Sequence, residues 1–327
     1  MAATWIAGTG SYLPEREVKN EELTQFPSHA LQMIREKTGV SSRRVADPRD
    51  ATSDLAFRAA LAALADAGES PGALDALIVA TSSPDRLQPA TAARVQALLG
   101  ADKAFAFDVN SVCSGGIFAM TVGDSLIRSG ICQRVLVIGA EIYTRFLNPK
   151  DFSTFPYFGD GAGAVLLKRR FEVNDRGILA GNLKTDGKSV DVIQIPAGGS
   201  MKPAWQVTEA KDYYFYMNGK AVYQFAVTQG SQAILECLEQ ANIPKDNVSC
   251  VIAHQANVNI LKELAHRTNI PFERFYVNLD KYGNTAGAST LIALDEARRE
   301  GRFSKGDIVV MVAFGGGLSW GALAIRI

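Results

Sequence analysis

The stretch DVNSVCSGGIFAM, residues 108–120, decides how the rest of the chain is read. An apolar run from Ala104 to Val109 reads as a strand, Asn110 and Ser111 break it, and small residues then open a helix. Cys113 stands at that junction. A thiol at a helix N-terminus meets unpaired backbone N–H groups and the positive end of the helix dipole, which favour thiolate over thiol and give a nucleophile near neutral pH. Ser114, Gly115 and Gly116 leave room for a substrate carbonyl against the backbone, and the Cys113 N–H is placed to donate to a developing oxyanion. The plainer role of a lone cysteine beside an apolar strand is core packing. The remainder of the chain decides between the two.

Outward from this turn, strands and helices alternate. Upstream, Thr4 to Gly8 reads as a first strand and Ala30 to Thr38 as a short helical piece. Thr52 or Ser53 reads as the cap of the helix DLAFRAALAALADAG, which stops at Gly68 and is followed by the buried strand ALIVATSS and the helix TAARVQALLG. Downstream, the Cys113 helix ends near Gly130, RVLVIGAE forms another buried strand, residues 142–157 interrupt the order as an aromatic insertion, and FGDGAGAVLLKRR closes the half. Near-continuous apolar strands between helices imply an α/β sheet covered on both faces.

From about residue 176 the order begins again. After GILAGNLKTDG and the helix Lys220 to Ala241, the segment CVIAHQAN repeats ALIVATSS, the turn and helix at YGNTAGAS repeat those at VNSVCSGG, DIVVMVAFG repeats RVLVIGAE, and WGALAIR repeats GAGAVLL; FYVNL reads as one further strand. Such duplication predicts two similar α/β halves, residues 1–172 and 173–327, with strand ends converging between them. Ligands of open α/β sheets bind at carboxyl ends of strands, which puts Cys113, His254 and Asn284 on equivalent loops around one cleft. Taken singly, His254 reads as a half-buried histidine and Asn284 as a helix cap. Taken together, a thiol and two hydrogen-bond donors suit acyl transfer followed by carbanion generation.

Composition excludes several other classes. The 327 residues carry 34 Lys+Arg against 34 Asp+Glu, so charge gives no reason to expect nucleic acid or an anionic membrane as partner. Cys113, Cys132, Cys237 and Cys250 show no metal spacing, and the three histidines are scattered, which fits a reduced cytoplasmic compartment and no metal. No basic leader with an apolar run opens the chain and no apolar stretch is long enough to span a bilayer, so a non-secreted, non-membrane protein is expected.

The chain resembles β-ketoacyl-acyl-carrier-protein synthase III, of the thiolase-like condensing enzymes, in GTGSYLPE, the Cys113 turn, FGDGAGA (158–164), HQAN (254–257), GNTAGAS (283–289) and FGGGLSWGA (314–322). Each motif alone is weak, and their occurrence in this order is the signal. The resemblance implies a layered αβαβα fold, a homodimer, no metal or prosthetic group, and thioesters of coenzyme A or acyl carrier protein as substrates. It makes Cys113 the acyl acceptor, the N–H groups of Cys113 and Gly316 the oxyanion hole, and His254 and Asn284 the donors to a malonyl-type (or β-ketoacyl) extender whose enolate attacks the acyl-Cys. Phe158 and Phe314 match aromatics that dry the thiol's surroundings.

Departures from the family cluster at the entrance. Members that take acyl-CoA often stack its adenine between a Trp and an Arg; those positions read Met33 and Phe152, while Lys37 keeps one cation. Basic positions that meet phosphate or a carrier read Asn259 and Gln224, with Lys262, His266 and Arg267 as candidate replacements on one helix. Gln88 stands where the common enzyme presents a bulky aromatic from its partner subunit, which predicts a starter longer or more polar than acetate. Alternatives are an acyltransferase of this fold passing the acyl group to an O, N or S acceptor, and a non-catalytic scaffold subunit. A thiolase needs a second cysteine that FGGGLSWG lacks, and GTGSY is not a complete dinucleotide-binding glycine motif.

Overall fold

Apolar periodicity sets the elements, and the computed structural model describes residues 3–170 and 177–327. The first half comprises β1 (Ala3–Tyr12), β2 (Glu17–Lys19), α1 (Ser28–Thr38), β3 (Ser42–Arg44), α2 (Thr52–Ala67), β4 (Ala76–Ala80), α3 (Thr91–Leu99), β5 (Phe105–Val109), α4 (Gly115–Arg128), β6 (Arg134–Glu141) and β7 (Gly161–Arg170). The second comprises β8 (Gly177–Thr185), β9 (Ile193–Gln194), β10 (Tyr216–Met217), α5 (Gly219–Gln240), β11 (Val248–Ala253), α6 (Val258–Thr268), α7 (Leu279–Tyr282), α8 (Ser289–Arg299), β12 (Ile308–Gly315) and β13 (Ser319–Arg326). The boundary between halves read at 172/173 lies outside the described residues.

The two main sheets repeat one order, β1-β7-β6-β4-β5 and β8-β13-β12-β11, with β4–β6 and β11–β12 parallel and the β6–β7 and β12–β13 pairs antiparallel. Where the first sheet adds β5, the second has only a parallel bridge between Val251 and Phe275, so the strand expected over FYVNL shrinks to one contact. A side chain replaces the ladder there: Gln255 donates Nε2 to the carbonyls of Ala253 and Tyr276 and accepts from the Asn278 N–H. Alternating residues of each strand feed different layers. Leu77, Val79, Leu136 and Ile138 pack on α2 and α3; Ile78, Val137, Ile252 and Met311 pack on α4 and α8; Val251, Val310 and Val312 pack on α5 and α6. The stack is therefore α2/α3, sheet, α4/α8, sheet, α5/α6, which is the layered αβαβα arrangement.

Two local expectations change. The β1 strand runs past Gly8 and Gly10 to Tyr12 because those glycines lie against α2, where a Cβ on Gly10 would come within 2.3 Å of the Ala63 nitrogen. Neither Thr52 nor Ser53 caps α2: Asp54 accepts from the Ala51 N–H at 2.7 Å, while the Thr52 hydroxyl donates to the Ser83 carbonyl, fastening α2 to the turn after β4. Among the described residues no helix is long and apolar enough to cross a membrane.

Candidate active site

The duplication is sharpest at the two central turns. Val112 has φ 46° and opens a single 3₁₀ turn, Val112–Ser114, before α4; Ala286 has φ 44° and opens the turn Ala286–Ala288 before α8. A left-handed β-branched residue is strained by about 1–3 kcal/mol, so packing must hold it. Ser114 helps by donating its hydroxyl to the Ser111 carbonyl at 2.8 Å. In this register Cys113 is the counterpart of Gly287, and each turn packs on the last residue of a strand from the other half, Gly315 for Cys113 and Glu141 for Gly287.

Cys113, His254, Asn284, Phe158 and Phe314 line one cavity of about 270 Å³, together with Gly315, Tyr157, Ile193, Phe215 and others. His254 follows β11 directly, its N–H donating to the Val312 carbonyl at 2.8 Å. Its Nδ1 lies 2.6 Å from the Ser289 hydroxyl oxygen, and burial pushes its pKa down to about 3, so the ring is neutral at physiological pH. A Ser289 hydroxyl that donates into Nδ1 would put the ring hydrogen on Nε2. Asn284 is fixed by its backbone, whose N–H donates to the Tyr157 carbonyl while its own carbonyl accepts from Gly159. Its Oδ1 accepts from the Ala286 N–H at 2.8 Å, which leaves the Nδ2 hydrogens for the cavity.

At Cys113 burial works against the thiolate that the sequence predicts. Burial pushes the Cys113 thiol up to about 12, with the nearby Glu141 carboxylate adding to the rise and its own backbone N–H opposing it. Desolvation thus opposes the helix start at Gly115 and favours the thiol over the thiolate. Gly315 is the glycine against Cys113: a Cβ there would lie 2.7 Å from the Cys113 Cβ. Gly316 follows it and packs beside Val112 and Ile193. Phe314 meets the His254 ring edge-on with centroids 5.5 Å apart, and Phe158 stacks on Tyr143 at 5.0 Å and meets Phe215 at 5.0 Å. Dry walls on this scale strengthen every hydrogen bond inside.

The entrance residues are only partly gathered. Gln88 lies on an exposed loop and does not reach the cavity of its own chain. Phe152 packs edge-on against Phe26 at 5.2 Å, filling space with an aromatic cluster, and Met33 is half-buried on α1. Asn259 donates Nδ2 to the Lys37 carbonyl at 2.7 Å and so ties α6 to α1. Arg267 is held by Glu263 at 2.7 Å on its own helix, which weakens its case as a replacement cation; Lys262, Lys37 and Gln224 are exposed. Sequence reading missed Ser289, Glu141, Gly315 and the Tyr143–Phe215 pair. The available signals were the acidic end of an otherwise apolar strand, GAE, and the serine five residues after Asn284. Among the described residues no group of three or more His, Cys, Asp or Glu is placed to hold a metal ion.

Residues 107–187 match the family model described as 3-oxoacyl-[acyl-carrier-protein] synthase III, and residues 238–327 match that of its C-terminal part. The chain is 43% identical over 325 residues, 99% of its length and 98% of the relative's, to a β-ketoacyl-[acyl-carrier-protein] synthase III of Caldanaerobacter subterraneus. The crystal structure of the Aquifex aeolicus 3-oxoacyl-[acyl-carrier-protein] synthase III superposes with TM-score 0.91 at 39% identity, covering 99% of this chain and all (100%) of that one. The priming β-ketosynthase of the R1128 polyketide pathway superposes with TM-score 0.90 at 31% identity, covering 99% and 96%. A shared sequence over nearly the full length, on a shared fold, makes this chain a member of the 3-oxoacyl-[acyl-carrier-protein] synthase III family of thiolase-like acyltransferases.

Proposed function

We propose that the chain loads an acyl group from a thioester of coenzyme A or acyl carrier protein onto Cys113 and condenses it with a malonyl-type thioester. In loading, the Cys113 sulfur attacks the thioester carbonyl, the carbonyl oxygen gains negative charge beside the N–H groups of Cys113 and Gly316, and the C–S bond to the donor breaks. The Cys113 proton ends on the departing thiol, which matters for a thiol whose resting pKa is raised to about 12. In condensation, the extender's C–CO₂ bond breaks and its electrons form an enolate. His254 Nε2–H and Asn284 Nδ2–H donate to that enolate oxygen, each such donor contributing about 3 kcal/mol. The enolate carbon then attacks the acyl-Cys carbonyl and Cys113 leaves, recovering a proton. Neither step needs a metal or prosthetic group.

The observation that carries this reading is the donor set: neutral His254 and an Asn284 amide whose oxygen is already occupied face the cavity that holds Cys113. Transfer to an O, N or S acceptor needs a base more than an enolate clamp. A homodimer is supported by β5, whose paired neighbour is β4 alone among the described residues and whose Phe105 and Phe107 stack at 6.3 Å with Phe105 46% exposed. In such a dimer the exposed Gln88 loop has a second chain's cavity to reach, and a starter longer or more polar than acetate remains part of the proposal. Four free thiols, one of them essential, suit the cytoplasm.

The test is intact-protein mass after incubation with a panel of acyl thioesters, then malonyl thioester. Wild type should gain one acyl group that Cys113→Ala does not gain and that malonyl thioester removes as β-ketoacyl product. His254→Ala and Asn284→Ala should still load and should lose decarboxylation by about 10²–10³-fold. Equal loss of both half-reactions would refute the division of labour, and an adduct indifferent to malonyl thioester would favour the acyltransferase alternative.

A further inference from the structure

Glu141 ends β6 fully buried, and no step above uses it. Its carboxylate is a junction. Oε1 accepts from the Ser82 N–H at 3.1 Å, the Ser82 hydroxyl at 3.0 Å and the Gly287 N–H at 3.4 Å. Oε2 accepts from the Thr81 hydroxyl at 3.3 Å and the Ser83 hydroxyl, and shares the Ser82 N–H at 3.2 Å. Ser83 Oγ in turn accepts from the Ile142 N–H at 2.9 Å. One side chain thus joins the end of β6, the turn after β4 and the turn before α8.

The duplication gives this junction its meaning. Gly287 N–H is the counterpart of Cys113 N–H, each following a left-handed residue, φ 44° at Ala286 and φ 46° at Val112. In the first half that N–H is the donor proposed above for a substrate oxygen that develops charge. In the second half the equivalent N–H is occupied by the chain's own anion. The same turn carries Asn284, whose Oδ1 takes the Ala286 N–H at 2.8 Å. A bond at Gly287 N and a bond at Ala286 N are one residue apart, so the first fixes the turn on which the second orients the amide.

We infer that Glu141 is a positioning residue: its carboxylate fills the anion site of the Gly287 turn and thereby sets the Asn284 amide against the extender. The inference rests on the condensation reading, since it places the role of Glu141 in the extender step. Its burial cost is offset because every acceptor site is used, and desolvation still raises its pKa to about 7. The acceptor at Oε1, more than the charge, is what the turn needs. A Gln can keep that acceptor, with the Ser82 N–H bonded to it alone, and turn its NH₂ toward Ser83 and Thr81, whose hydroxyls can rotate to accept.

The test compares Glu141→Gln with the acceptor-free Glu141→Leu in the two half-reactions, with Glu141→Met in place of Leu if the latter does not fold. Loading of Cys113 should not fall below about a third of the wild-type rate in any of them, and loss of the Glu141 charge, which holds the thiol pKa up, acts in the direction of faster loading. Decarboxylation of malonyl thioester should fall at least tenfold in kcat for Leu or Met with little change in KM, and should stay within about threefold for Gln. Decarboxylation at the wild-type rate in the Leu or Met variant would overturn the inference. So would equal loss of both half-reactions in a folded variant, or a Gln variant as impaired as Leu. Wild type in the same assay reports separately on the condensation reading: if its own adduct resists malonyl thioester, that reading fails first.

Discussion

Replacing His254 by Asn should change how stability depends on pH. The imidazole carries a pKa near 6.5 when exposed and about 3 when folded, lowered by burial. As pH falls through 6.5 the unfolded chain takes up a proton that the folded chain refuses, so the contribution is present above 6.5 and is lost toward pH 3. Each unit is worth about 1.36 kcal/mol, which makes the loss at pH 5 about 2 kcal/mol. Glu141 works in the opposite sense: burial raises its pKa from 4.5 to about 7, so its contribution grows as pH falls between those values. Wild type alone would show the two nearly cancelling, and the difference between wild type and His254→Asn removes the Glu141 part. Urea unfolding at pH 7.5 and 5.0 should show the wild-type advantage over the variant shrinking by about 2 kcal/mol. A difference constant to within about 0.5 kcal/mol would refute the neutral, proton-refusing His254 on which the donor assignment stands.

Three further outcomes are expected. Gly315→Ala should destabilise the fold by about 1–3 kcal/mol and cut loading of Cys113 more than a hundredfold, read by intact mass, because the new Cβ would fall 2.7 Å from that of Cys113. If the proposed dimer forms through β5, Phe105→Lys on that exposed edge strand should shift the sedimentation coefficient from dimer to monomer, and Gln88→Phe should narrow starter preference toward acetyl thioesters only in the dimer.

The architecture was legible because the central strands β4, β6, β11 and β12 are apolar on both faces and the order of strand, turn and helix recurs, 174 residues apart for the Val112 and Ala286 turns by their numbers. The joint reading of Cys113, His254 and Asn284 came from that recurrence, and the cavity contains all three. What stayed hidden depends on partners distant in sequence. Ser289 acts on His254 across 35 residues, and Glu141 acts on Gly287 across 146, which no local periodicity records. The thiol's raised pKa was hidden for a related reason: a helix start is visible in a sequence, whereas the depth of burial that opposes it is not. The caps of α2 were misread because Thr52 faces inward to Ser83, a choice made by the neighbouring turn.

The paired turns also set a stoichiometry. A side chain at Gly287, the position matching Cys113, would place its Cβ 2.9 Å from the Val112 carbonyl oxygen and 3.0 Å from Glu141 Oε1. The carbonyl belongs to the residue that holds the nucleophile's own turn, so a second thiol there would displace the first. Two copies of one fold therefore leave room for a single thiol at this pair of turns, and a chain saturated with donor thioester should carry one acyl group, not two.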